Sequence, residues 1–147
     1  MRKFIYLGMI GVPFLFFGCI DPATPLPQFT PTALESQGKG ITIANSTPYN
    51  CKILGEVEGK DDASGTQGVI SEKLREGAIN DLKNEAGATA PNKRIMLRIT
   101  NEKVQCRGLV RNQTRDFDCT NGIPKGVTNV IPISHRIHAE VFECGDK

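Results

Sequence analysis

Imidazole is nearly missing from this chain. Of its 147 residues only His135 and His138 carry it. Three positions apart on a strand, the two would point to opposite faces, so they could not share a metal ion there, and both are expected at the surface. No serine stands in a strand–turn–helix nucleophile elbow, and no Cys–His couple is left once the cysteines pair. The acidic pairs Asp61-Asp62 and Asp116-Phe117-Asp118 lack the multi-oxygen spacing of a calcium loop and read as solvated turns. Cys51, Cys106, Cys119 and Cys144 are scattered, without the close pairs of a zinc site. The sequence therefore gives no catalytic residue, no metal site and no cofactor site. Long hydrophobic runs are absent too. The longest, Phe4 to Phe17, has fourteen residues, short of the roughly 20 that span a bilayer.

What that run does have is its setting. It follows Arg2 and Lys3 and ends in Phe16-Phe17-Gly18-Cys19. A positive start, an apolar stretch and a small residue directly before a cysteine read as a bacterial lipoprotein signal peptide over residues 1–18. Cys19 then becomes the lipid-bearing N-terminus. A signal peptide cut elsewhere and an uncleaved anchor remain the alternatives, because Pro13 interrupts the run and Phe16 replaces the usual leucine. Ile20, rather than aspartate, follows the cysteine, which favours the outer over the inner membrane.

Cleavage also removes the charge excess. The chain has 18 Lys and Arg against 16 Asp and Glu. Without Arg2 and Lys3 the two counts are equal, so nothing argues for a nucleic-acid partner. Residues 19–40 hold Pro22, Pro25, Pro27 and Pro31 among small polar residues. That composition reads as an extended linker that buries little and could be deleted without loss of stability. Residues 41–147 then form a single domain.

Within it, Ile41-Thr42-Ile43 marks a strand at 40–45, and Cys51 to Glu58 a second in which Gly55 suggests a bulge or a close neighbour. Gly59 to Gly68 reads as a loop. Ser71 can cap a helix in which Leu74, Ala78, Leu82 and Ala86 recur every four residues with Ile79 beside them, ending at Gly87. Glu76 and Asp81 fall on its solvated side. Ile95, Leu97 and Ile99 alternate in a strand, Lys103 to Cys119 forms a hairpin or loop around Asn112-Gln113, and Arg136 to Cys144 closes the chain as a last strand. Asn121-Gly122 and Lys125-Gly126 are turns. The expected fold is α+β, a small and mostly antiparallel sheet with one main amphipathic helix packed on it. Four cysteines in an exported domain favour two disulfides, with three possible pairings.

Three blocks carry a family resemblance: Cys51 to Gly59, Arg75 to Ala86 with its Gly77, Asn80, Asp81 and Asn84, and Ala139 to Cys144. In that order they resemble a family of small Gram-negative lipoproteins built on a domain of unknown function, more distantly similar to the envelope-stress sensor lipoprotein RcsF. The resemblance implies a lipid-modified cysteine ahead of a polar segment. It also implies a bond between Cys51 and Cys144, which leaves Cys106 and Cys119 to close the elaborated stretch from Lys103 to about Ser134. It implies no known enzyme activity.

The function expected is that of a membrane-anchored envelope protein, a non-enzymatic binding or structural module. Its partners would be the membrane, through the lipid, and an envelope protein or cell-wall component. A sensor similar to RcsF is the alternative, and an enzyme acting on envelope glycans through carboxylates that converge in space is a third.

Overall fold

A computed structural model describes residues 24–146 of the chain. Cys19, the proposed signal peptide and the first residues of the proline-rich segment lie outside the described residues. Five strands and one long helix follow in the order β1 (Thr42–Ile43), β2 (Lys52–Asp62), α1 (Ser71–Thr89), β3 (Lys93–Val110), β4 (Gln113–Asp118) and β5 (Val127–Asp146). The strands form one sheet in the order β1-β3-β5-β2, with β4 also on β3. Only the β1–β3 pairing is parallel. This is the expected helix-on-sheet α+β architecture.

Helix α1 buries one stripe. Leu74, Ala78, Leu82 and Ala86 are fully buried. Ala78, Leu82 and Ala86 meet Ile95 and Leu97 of β3, Ile137, Ala139 and Val141 of β5, and Ile41. Leu74 instead joins a satellite cluster with Phe29 and Ala63. The helix differs at its ends from what the sequence suggests. Ile70 is the residue at the N-cap position and no side chain caps it, so Ser71 is the first helical residue. At the other end the helix runs through Gly87 to Thr89.

The strands are longer than their hydrophobic patterns. β2 continues past Glu58 to Asp62, through part of the expected loop, because Gly59 to Asp62 stay paired with Ser134 to Ile137 of β5. A register shift between Ile53 and Gly55 confirms the bulge, with Gly55 at φ +150°. β3 and β5 run side by side along most of their length. The β3–β4 hairpin turns on Arg111-Asn112, both at positive φ, one residue earlier than the sequence suggests. Both disulfides form as the resemblance implies: Cys51–Cys144 across β2 and β5, and Cys106–Cys119 at the open end of the hairpin.

The main correction concerns the proline-rich segment. From Leu26 onward it is not a free linker but a strap lying on the domain, with the Leu26 and Pro27 carbonyls accepting from Gln67 Nε2 and the Gln67 N–H. Gln28 bridges Gln67, and the Phe29 N–H donates to the Gln67 carbonyl at 2.9 Å. Phe29 is buried. Further along, Asn80 Nδ2 donates to the Thr32 carbonyl at 2.9 Å and Asn84 Nδ2 to the Ala33 carbonyl at 2.9 Å. Asn84 Oδ1 accepts the Glu35 N–H at 2.8 Å. A Cβ at Gly77 would overlap Asp61 Oδ2, and one at Gly87 would overlap the Gln37 carbonyl. Gly77, Asn80, Asn84 and Gly87 thus form a second helix stripe, fitted to the strap. Gly87 is small because the strap crosses it, not because the helix stops there.

Two stability measurements test this packing. Leu82→Ala should cost about 2–5 kcal/mol, as a core truncation that leaves a cavity, while the neighbouring Lys83→Ala should stay within about 0.5 kcal/mol. Asn84→Ala strands the Glu35 N–H and the Ala33 carbonyl, and should cost about 1–3 kcal/mol. At about 4–8 °C per kcal/mol for a domain of this size, calorimetry resolves that loss. A melting temperature unchanged by Asn84→Ala would return residues 28–40 to the status of a linker.

Candidate functional site

An apolar depression lies where the N-terminal turns of α1 face the open end of the β3–β4 hairpin. It holds about 450 Å³, within the range of small-ligand sites. Leu74 of α1 and Val104 of β3 contribute to its lining, as do Val130 and Pro132 of β5. The Cys106–Cys119 disulfide and Ile123 complete it. Pairing continues beyond β4 to hold this wall: the Cys119 N–H donates to the Val104 carbonyl at 3.0 Å, and the Val104 N–H to Thr120 Oγ1 at 2.9 Å. Ile123 remains 60% exposed, and Ile70, just ahead of the helix, is also exposed. Apolar side chains therefore stand at a concave place on the surface.

Four polar residues line the cleft, Ser71, Glu72, Arg75 and His135; the last two are already engaged through Glu102. His135 lines it and is buried. Its Nε2 lies 2.9 Å from Glu102 Oε2. Arg75 donates to the same carboxylate in a fork, Nε at 2.9 Å and Nη2 at 2.7 Å. The Arg75 guanidinium holds the Glu102 carboxyl below its ordinary range; burial opposes this and His135 adds to it. Glu102 in turn keeps Arg75 protonated to higher pH than usual. The expectation that both histidines lie at the surface is corrected for His135, which faces the helix side. His138 is partly exposed, with Nε2 3.3 Å from Glu58 Oε2.

His135 also borders a polar depression with Asp61, Asp62, Asp81 and Ser134, the place where converging carboxylates would sit in a glycan-acting enzyme. Asp61, expected in a solvated turn, is buried on β2. It accepts from the Thr32 N–H at 3.0 Å, the Thr32 hydroxyl at 3.2 Å and the Asp62 N–H at 3.0 Å. Asp81 accepts the Lys60 N–H at 2.9 Å. Each carboxylate is committed to tying chain segments together. Asp116, likewise expected in a solvated turn, is on β4 and bridged to Arg107, Nε to Oδ1, at 2.6 Å. Among the described residues, no three His, Cys, Asp or Glu side chains come together as a metal site.

Of the residues expected to matter, the Cys106–Cys119 disulfide lines the cleft. The Arg75–Glu102–His135 group leaves no mark in the sequence, because its members are 27 and 33 positions apart and follow no short-range pattern. Because the Glu102 pKa is lowered in the folded state, the stabilisation it gives is complete above the unfolded carboxyl value of about 4.3 and is lost as pH falls through the lower folded value. Glu102→Gln should therefore melt below the wild type at pH 7, and the gap should close as pH drops below about 4. A gap that stays constant across that window would rule out the ion pair as its source.

No curated protein and no solved structure matches this chain. A family model does, over residues 32–144. Its span opens at Thr32, whose carbonyl Asn80 holds, and closes at Cys144, so it takes in most of the strap together with the whole sheet and helix. The chain belongs to the family described as a domain of unknown function, DUF4156.

Proposed function

We propose that this protein is a lipid-anchored component of a Gram-negative cell envelope, outer membrane rather than inner, and that its domain binds an apolar group instead of catalysing a reaction. The anchor rests on the sequence: Arg2 and Lys3, the apolar run to Phe17, and Gly18-Cys19. The binding role rests on one observation. The cleft beside the Cys106–Cys119 disulfide is walled mainly by apolar side chains, with Glu72 at its edge, while Arg75 and Glu102 form an ion pair to which His135 is hydrogen-bonded. A site of that kind gains affinity from displaced water and has no unengaged acid–base pair to drive chemistry. An apolar side chain of an envelope protein or an acyl group fits it.

A sensor similar to RcsF remains the second reading, favoured by the disulfide in the cleft wall, where a change of cysteine partners would reshape the site. Mass spectrometry of the mature N-terminus tests the anchor: a lipid-bearing Cys19 supports it, and an unmodified N-terminus elsewhere overturns it. For the cleft, Ile123→Asp should leave the melting temperature almost unchanged, because Ile123 is mostly exposed and such surface changes stay within about 0.5 kcal/mol. It should abolish photo-crosslinking in native envelopes from a probe at Glu72, an exposed helix residue that lines the same cleft. Crosslinking indifferent to Ile123→Asp would remove the cleft from the binding surface. Hydrolysis of peptidoglycan by the wild type would replace the binding reading with the enzymatic one.

A further inference from the structure

The sheet face turned away from α1 carries an unusual row. Lys60 of β2 stands opposite Arg136 of β5, and Arg136 opposite Lys103 of β3. Neighbouring strands are about 4.8 Å apart, so three cationic side chains rise from backbone positions spanning about 10 Å. Like charges directly opposite each other in a sheet destabilise it. The nearby acids compensate only in part. Glu58 Oε1 is 3.3 Å from Arg136 Nη1, and Glu58 also faces His138. Asp118 is 3.7 Å from Lys103 Nζ. Arg136 and Lys103 are each more than half exposed in these pairs, which leaves the pairs weak. Asp62, in the next row, accepts the Ser64 N–H at 2.7 Å. The Lys60 side chain makes no ion pair among the described residues.

Neutral donors stand beside the row. Ser134 and Gln105 occupy opposite positions in the adjacent row on the same face. With Lys103, Arg136 and His138 they line a shallow depression of about 430 Å³. Neither the Ser134 hydroxyl nor the Gln105 amide makes a hydrogen bond within the described residues. One ammonium group, a planar guanidinium, a hydroxyl and an amide line this one concave spot, and Lys60, opposite Arg136, flanks it from the adjoining depression. That donor set matches an oxyanion with several acceptor oxygens, and the guanidinium favours a phosphoryl group through paired hydrogen bonds. The geometry points to a phosphate-binding site formed by Lys103 and Arg136, with Ser134 and Gln105 as neutral donors and Lys60 as a flanking cation at its edge. Its ligand is a phosphoryl group, carried either by a membrane lipid headgroup or by free phosphate. The site lies on the face opposite the apolar cleft and is independent of it.

Amide NMR of the full chain in neutral detergent micelles, titrated with inorganic phosphate and separately with sodium chloride at matched ionic strength, tests the assignment. Phosphate should shift the amides of Lys60, Lys103, Ser134 and Arg136 saturably, and chloride should not. The double variant Lys60→Gln/Lys103→Gln should keep a folded spectrum and bind phosphate at least about threefold more weakly, as expected for losing two exposed charge contacts. Equal responses to the two salts, or an unchanged affinity in the variant, would overturn the proposal. Hydrogen exchange of the anchored chain on phosphatidylglycerol and on phosphatidylcholine bilayers separates the sources. Protection of this row on the anionic lipid alone identifies the headgroup; phosphate binding without that lipid dependence identifies the free ion.

Discussion

Helix α1 is held between two surfaces that come closer than ordinary side chains allow. On the sheet side, a Cβ at Gly59 would overlap the backbone of Ala78 and Leu82, so β2 and the helix meet nearly backbone to backbone. On the other side, Gly77 and Gly87 admit Asp61 and the strap. These close approaches set everything else. They bring Asn80 and Asn84 within reach of the strap carbonyls, and they fix the helix axis so that Leu74 and Arg75 overlook the end of the β3–β4 hairpin, where the cleft forms. Each such contact gains dispersion energy, and none tolerates a methyl group without displacement of backbone.

Buried polar groups complete that arrangement. Asp61 is a carboxylate removed from water, and it is tolerable because three donors satisfy it. Asn84 is buried with both ends of its amide engaged. Such groups specify where the strap lies more sharply than apolar contacts would, because a shift of one residue would leave donors and acceptors unmatched. The two disulfides act at other places. Cys51–Cys144 joins residues 93 apart and ties the edge strand to the central one, while Cys106–Cys119 joins residues 13 apart and stiffens one wall of the cleft.

Sequence patterns reveal the parts of this fold that repeat. The four-residue spacing of Leu74, Ala78, Leu82 and Ala86 gives the helix and its buried face, and the alternation of Ile95, Leu97 and Ile99 and of Ile137, Ala139 and Val141 gives the two central strands. Gly55 marks the bulge. The pairing of the cysteines follows from the family resemblance, not from their spacing. The strap is hidden because its attachment is polar and non-periodic: short asparagine and aspartate side chains reach its backbone, so its own residues need not be apolar. Its prolines and small polar residues are those of a free linker. Burial of His135 is hidden for a similar reason. A histidine in an alternating strand takes whichever face its neighbours take, and its partner Glu102 is on another strand.

The strap also has a mechanical consequence. If the chain is fixed to a membrane ahead of residue 24, any tension between anchor and domain enters through it. The first contacts to be loaded are the Leu26 and Pro27 carbonyls held by Gln67, then the Gln28–Gln67 bridge and Phe29, and the Asp61, Asn80 and Asn84 attachments follow. Those attachments lie along the side of α1, so a pull transmitted through them acts on the helix and on β2 before it reaches the sheet centre. From an anchor at Cys19 to Leu26 a fully extended chain would reach only about 25 Å. A domain on so short a leash would stay near such an anchor, and stretching it further would mean peeling the strap from the helix.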